Sequence, residues 1–207
     1  MEEFATDAVL SVGAGGRGFI VDGGRERFVI TAAHCLPFFP PCHGMSYAEE
    51  RTYKGLLAPV GGEPSIWAEC LFADPIADIA ILGPVDGQQL VDQYSAYEDL
   101  MEGASPLAIS DPPRDGAARM LSLDGRWFEC RARHLGGLLW VYDAAESIRG
   151  GMSGSPILGA DGSAIGVVCI GTRRAGERPG TDGGPNPRLA YSLPAWALTN
   201  LITSGSE

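Results

Sequence analysis

Gly150-Gly151-Met152-Ser153-Gly154-Ser155-Pro156 is the stretch from which the rest of this 207-residue chain is read. A serine hydroxyl becomes a nucleophile when a base takes its proton and backbone N–H groups wait for the oxyanion. Gly151 has no Cβ, so its peptide can turn its N–H toward the point addressed by the N–H of Ser153. Gly154 and Ser155 are small enough for other backbone to approach, and Pro156-Ile157-Leu158 reads as entry into a buried strand. Gly/Ser-rich segments also form plain turns. The stretch therefore has two readings until a base, and a group that orients it, are found elsewhere.

Bulk composition narrows the setting. The chain is 45% hydrophobic and 20% charged, as in a soluble globular protein. Its length suits one large all-β domain or two small barrels, and 29 glycines with 15 prolines favour a turn-rich β architecture over a helix bundle. A net charge of −11 argues against a nucleic-acid or anionic-membrane partner. No apolar run is long enough to span a bilayer. Met1-Glu2-Glu3-Phe4-Ala5-Thr6-Asp7 lacks the basic and apolar regions of a signal peptide. The five cysteines (Cys35, Cys42, Cys70, Cys130, Cys169) are odd in number and scattered, so reduced thiols and a cytoplasmic location are expected. Cys35, Cys42 and His43 lie close in sequence, but their spacing is not that of a zinc knuckle, and neither metal nor cofactor is expected.

Along the chain, strands are expected at Asp7–Val12, Gly18–Val21, Arg27–Ile30, Thr52–Pro59, Ile66–Ala73 and Asp78–Leu82. Leu90, Tyr94, Tyr97 and Met101 then recur at helical spacing, with Gly103 at the position of a C-cap. Further strands are expected at Pro106–Ile109, Ala118–Leu123, Trp127–His134, Leu138–Tyr142, Gly154–Leu158 and Ala164–Ile170. Thr172–Arg188 reads as a loop rich in Gly, Pro and Arg, Arg188–Leu193 as a last strand, and Trp196–Ile202 as a short closing helix. The division is a first β unit over 1–85, a partly helical linker over 86–104 and a second β unit over 105–207.

Of the three histidines, only His34 ends a buried apolar strand, in Thr31-Ala32-Ala33-His34-Cys35. Ala32 and Ala33 leave room for an imidazole to stand against backbone and still face a cleft. A structural role fits a lone histidine there as well. Asp78 heads the apolar run Ile79-Ala80-Ile81-Leu82, either as a strand-start cap or as a half-buried carboxylate that needs a partner such as an imidazole N–H. The chain order His34, Asp78, Ser153 is the one that the Ser-His-Asp triad takes in the two-barrel fold.

These three blocks resemble the signature blocks of the chymotrypsin/trypsin-like serine peptidases, and Val167-Val168-Cys169-Ile170-Gly171 is similar to that family's strand beside the substrate cleft. The resemblance implies an all-β fold of two six-stranded antiparallel barrels, with a linker helix and a short C-terminal helix. The catalytic groups would be His34 and Asp78 from the first barrel and Ser153 from the second, with the N–H groups of Gly151 and Ser153 as oxyanion hole. It implies a serine endopeptidase acting on a protein or peptide through an acyl-enzyme.

Three departures qualify the resemblance. Met152 stands where secreted members place an Asp that pairs with a newly cut N-terminus, which disfavours that mode of activation. Gly18-Phe19-Ile20-Val21 offers no disulfide partner for Cys35. Cys169 stands where relatives place a Ser that hydrogen-bonds the catalytic Asp, and a thiol donates weakly. These features, with one Lys (Lys54) against 14 Arg, resemble bacterial intracellular members. By the same resemblance, Ser147 would floor the specificity pocket and Ile148, Gly171 and Leu189 would line it. With no carboxylate there, a small or medium uncharged side chain is the expected preference. Two alternatives stand beside the active enzyme: a catalytically silent peptidase fold kept as a binding module, and a peptidase activated by a protein partner in a larger assembly.

Overall fold

A computed structural model of the protein describes residues 6–41, 48–169 and 182–202. Six strands form the first half: β1 (Val9–Val12), β2 (Gly16–Asp22), β3 (Arg27–Thr31), β4 (Thr52–Pro59), β5 (Ile66–Asp74) and β6 (Ile79–Gly83). All neighbours are antiparallel, and β1 pairs with β4, so the order β1-β2-β3-β6-β5-β4 closes into a barrel. Helix α1 (Val91–Glu102) follows, and β7 (Asp115–Leu121), β8 (Trp127–Leu135), β9 (Leu138–Tyr142), β10 (Pro156–Gly159), β11 (Ala164–Val167) and β12 (Asp182–Pro187) build the second half. Their order is β11-β10-β7-β8-β9-β12. An antiparallel bridge between Gly166 and Arg188 joins the two ends, so this sheet also wraps on itself. The protein thus consists of two six-stranded antiparallel barrels with few short helices.

The strand β6 shows why this fold follows from the pattern. All five of its residues are buried. Side chains alternate across a strand. Ala80 and Leu82 point into the first barrel with Val29, Tyr53 and Leu57. Ile79 and Ile81 point outward into a second cluster shared with Phe19 and Ile30. That cluster continues into the other barrel through Leu121, Leu158, Val167 and Leu189. A third cluster, with Met120, Phe128, Leu139 and Ile157, fills the second barrel. A strand with apolar residues on both faces is therefore one that faces the other barrel.

Helix α1 buries Tyr97 and Met101, and the Tyr97 hydroxyl donates to the carbonyl of Arg27 at 2.9 Å. Gly103 caps it in a right-handed conformation (φ −70°), so the glycine is not required there for a left-handed turn.

Four expectations are corrected. Asp78 is not in a strand: it occupies the preceding turn with φ +55°. Pro106–Ile109 is an extended connector bonded to both barrels, Leu107 N–H to Ile20 and Ala164 N–H to Ala108, with isolated parallel bridges only. Part of the expected Thr172–Arg188 loop is the strand β12, paired to β9. Arg188–Leu193 is no strand: Leu189–Ser192 forms a single helical turn, α2, closed by Leu193 N–H on the carbonyl of Leu189. Helix α3 (Ala195–Ile202) ends the described chain. Cys42, His43, Ile170 and Gly171 lie outside the described residues.

Candidate active site

His34 lies on a 3₁₀ turn, Ala33–Cys35, that ends β3's path. Ala33 is buried and packs inward, while the His34 side chain is 48% exposed and faces the groove between the barrels. Asp78 meets this turn at three points and Cys169 at a fourth. Its Oδ1 accepts the His34 backbone N–H at 2.9 Å and its Oδ2 lies 2.7 Å from His34 Nδ1. Its main-chain carbonyl accepts the Ala33 N–H at 3.2 Å and the Cys169 thiol at 3.0 Å. An ionised carboxylate only accepts, so Nδ1 carries the proton and Nε2 is left with a free lone pair. The left-handed backbone at Asp78 turns both carboxylate and carbonyl toward the His34 turn, and Asp is among the few residues that tolerate it.

Cys169 thus stands beside Asp78, as the resemblance implies, and the atom its thiol meets is the main-chain carbonyl. Burial and the nearby Asp78 carboxylate push the thiol's pKa well above its usual range, so the sulfur keeps its proton and remains a donor.

The serine loop comes from the second barrel. Met152 N–H bonds the carbonyl of Arg149 at 3.2 Å, and Gly151 has φ +89°. An i to i+3 bond with a positive φ at the third residue defines a type II turn, which glycine alone fits without strain. Gly154 N–H bonds Val168 at 2.7 Å, and Ser155 N–H bonds Met152 at 3.0 Å. The N–H groups of Gly151 and Ser153 make no hydrogen bond to any described residue. Met152 itself is 1% exposed and sits in the second barrel's core cluster. The loop is thus anchored by an apolar plug, worth about 1.5–3 kcal/mol for a buried methionine, where an acid would need an ion partner.

The first barrel grips this loop. Arg17 N–H donates to the carbonyl of Ser153 at 2.8 Å. Gly154, at φ +84°, lies so close to Arg17 that an added Cβ would stand 1.7 Å from its carbonyl oxygen. A cavity of about 400 Å³ opens where the two halves meet, lined by Gly15, Gly16, His34, Cys35, Gly151 and Ser153 among others. His34 and Ser153 share this cavity without a hydrogen bond between their side chains. Such bonds are often formed only with substrate in place.

The expected pocket residues are dispersed. Ser147 and Ile148 are half-buried ahead of the serine loop and do not line the cavity, and Ile148 packs on the second barrel's core. Leu189 has no exposed surface and belongs to the cluster between the barrels. Opposite Cys35 stands Gly16, where a Cβ would come within 2.5 Å of the sulfur. Ala14, Gly15 and Gly16, legible only as part of a turn, prove to be a wall of the cavity. Among the described residues, no group of three His, Cys, Asp or Glu side chains is placed to hold a metal, and no helix is long and apolar enough to cross a membrane.

No known family's sequence profile matches the chain, and no curated protein sequence matches it either. Solved structures do. The chain superposes on the inactive form of the Rv3671c protease of M. tuberculosis H37Rv with a TM-score of 0.58 at 16% identity, covering 98% of this chain and 90% of that one. A human pathogenic astrovirus serine protease gives a TM-score of 0.52 at 17% identity, covering 91% of this chain and 94% of that one. The shared fold is that of chymotrypsin-like serine proteases.

Proposed function

We propose that the protein is a serine endopeptidase in which Ser153 is the nucleophile, His34 the general base and acid, and Asp78 the group that orients His34. One observation carries this reading. An imidazole held through Nδ1 by a carboxylate shares a cavity with a serine whose own N–H, and that of Gly151, find no acceptor among the described residues.

The chemistry then follows. A peptide carbonyl enters with its oxygen toward the N–H groups of Gly151 and Ser153. Ser153 Oγ attacks while His34 Nε2 takes its proton. The imidazolium is stabilised by Asp78, and the oxyanion by the two N–H groups, each worth ~10²–10³ in rate. His34 returns the proton to the leaving amine. Water repeats the sequence on the acyl-enzyme and frees Ser153. The fold shared with the Rv3671c and astrovirus proteases supports a peptidase reading at the level of the scaffold.

By resemblance to the family, a serine rather than a carboxylate at position 147 supports a small or medium uncharged side chain on the acyl side of the cut bond, which cleavage of a random peptide library checks. Among the described residues Cys35, Cys70, Cys130 and Cys169 are free thiols, in keeping with a reducing compartment.

The decisive experiment is reaction with a fluorophosphonate, followed by mapping of the adduct by mass spectrometry. Ser153 is expected to be labelled, Ser153→Ala to lose the label, and His34→Ala to react far more slowly. A folded wild-type protein with no label at Ser153 overturns the reading.

A further inference from the structure

Arg17 is a charged residue that the reaction above does not use, yet it is 6% exposed at the junction of the barrels. Its guanidinium crosses from β2 into the second barrel. There Nη1 donates to the carbonyls of Leu121 and Ser122 at 3.1 and 2.9 Å, and Nη2 to that of Leu123 at 3.3 Å. No carboxylate pairs with it among the described residues. Burying a cation against carbonyls alone is a weak way to gain stability, since apolar replacements of buried charged groups are often neutral or better. A planar fork with five fixed donors is instead a way to hold three consecutive carbonyls in one geometry.

What it holds is the neighbourhood of Gly151. A Cβ built on Gly151 would lie 3.2 Å from Leu123 Cδ2 and 3.5 Å from the carbonyl of Gly15. Gly151 therefore sits in a slot with one wall from each barrel. Gly15 is two residues before Arg17, and Leu123 is the last residue whose carbonyl the guanidinium takes. The backbone of Arg17 also fixes the end of the loop, through its N–H on Ser153 and its carbonyl against Gly154. That carbonyl is held in turn by the Thr31 hydroxyl at 2.6 Å.

We propose that Arg17 is a positioning residue for the oxyanion turn: by tying the Leu121–Leu123 segment to the first barrel, it sets the width of the Gly15–Leu123 slot and so the aim of the Gly151 N–H. The inference rests on the serine-peptidase reading of the site. It concerns the transition state more than the bound substrate, because an oxyanion donor acts where charge develops. A small misplacement of such a donor costs up to ~10²-fold.

The test compares wild type, Arg17→Met, Arg17→Lys and Leu123→Ala, with active sites counted by fluorophosphonate labelling. Per labelled site, Arg17→Met is expected to lose kcat by about ten- to a hundredfold with KM within about twofold. Arg17→Lys restores part of the loss, and Leu123→Ala, which removes one wall at a half-exposed position, lowers kcat in the same sense. In ¹⁵N-labelled protein, the Gly151 amide signal shifts or broadens in Arg17→Met. An unchanged kcat per labelled site, or a fall explained wholly by fewer labelled sites, overturns the proposal. If Arg17→Met does not fold, Arg17→Lys and Leu123→Ala decide it by the same criteria. If the wild type is not labelled, the peptidase reading fails separately, and an unmoved Gly151 amide in the variants overturns the positioning role.

Discussion

In the first barrel every polar group of Asp78 that faces His34 is engaged, carboxylate and carbonyl alike. In the second barrel the Gly151 and Ser153 N–H groups find no acceptor among the described residues, while those of Met152, Gly154 and Ser155 around them are all used. One half of the site is rigid because its hydrogen bonds are made. The other is receptive because two are withheld, and its shape comes from glycine conformation and a buried methionine. A base must keep one tautomer through the cycle, whereas an anion hole must meet a charge that exists only briefly.

Asp78→Asn breaks the engaged half. Asn tolerates the same left-handed backbone, so the fold survives. Its amide cannot accept from both the His34 backbone N–H and Nδ1–H, which selects the wrong tautomer. A fall of ~10⁴ in kcat is expected with little change in melting temperature. Peptide-hydrolysis kinetics beside a thermal melt would check this, and full activity would show that Asp78 does not orient the base.

Gly154→Ala attacks the receptive half through its packing. The new Cβ would meet the Arg17 carbonyl at 1.7 Å and the Thr31 hydroxyl at 2.7 Å, on a backbone at φ +84°. Strain and overpacking together should cost about 2–4 kcal/mol. Denaturant unfolding reads this directly, and a shift under about 0.5 kcal/mol would mean that the barrels do not meet so closely.

Cys169→Ala probes the link between the halves. It removes the thiol from the Asp78 carbonyl while leaving the Ala33 N–H in place. A loss of about twofold to tenfold in kcat is expected, in keeping with about 1 kcal/mol for one neutral hydrogen bond. Cys169→Ser should recover it. Equal loss in both variants would assign the residue to packing alone.

The smallest expected effect is on pH and stability, where the barrels respond in opposite senses. Burial raises the pKa of Glu69 in the first barrel, despite Arg51 at 2.9 Å. Its folded form binds a proton more readily than the unfolded chain, so its contribution fades as pH rises through the raised value. Hydrogen bonds from Tyr142, Arg131 and Arg133 hold Asp115 of the second barrel well below the usual carboxylate range. Its contribution is present above the ordinary Asp value and fades as pH falls through the lowered one. Melting temperature against pH should therefore flatten just above the ordinary Glu value in Glu69→Gln and below the ordinary Asp value in Asp115→Asn. Parallel curves would refute the assignment.

Much of this was legible in local patterns. The run Ile79-Ala80-Ile81-Leu82 announced a strand buried on both faces, and Asp124-Gly125 and Gly136-Gly137 announced hairpin turns with positive φ at the glycines. The strand β12 was not legible. Its sequence, Asp-Gly-Gly-Pro-Asn-Pro, has no strand preference. It pairs with β9 through a register shift at Gly183/Pro185, and the side chain of Asn186 accepts from Cys169 N–H through Oδ1 and donates through Nδ2 to the carbonyl of Gly184, a donor that the flanking prolines lack. Leu189 is expected on a pocket wall by resemblance, which carries over a neighbourhood and not which way a side chain faces; here it is fully buried between the barrels.

By itself the sequence determined residue chemistry and local conformation: a serine among glycines able to turn their N–H groups, a histidine after a buried strand, and a carboxylate before another. These depend on a few consecutive residues. Only the tertiary structure decided what each of those groups touches. That Cys169 meets the Asp78 carbonyl, that Gly16 faces Cys35, and that Arg17 spans the barrels to the carbonyls beside Gly151 are all consequences of the inter-barrel packing. Residues more than a hundred positions apart are brought within hydrogen-bond reach there by burial of apolar faces, a force that acts on area and leaves no local mark on the partners it joins.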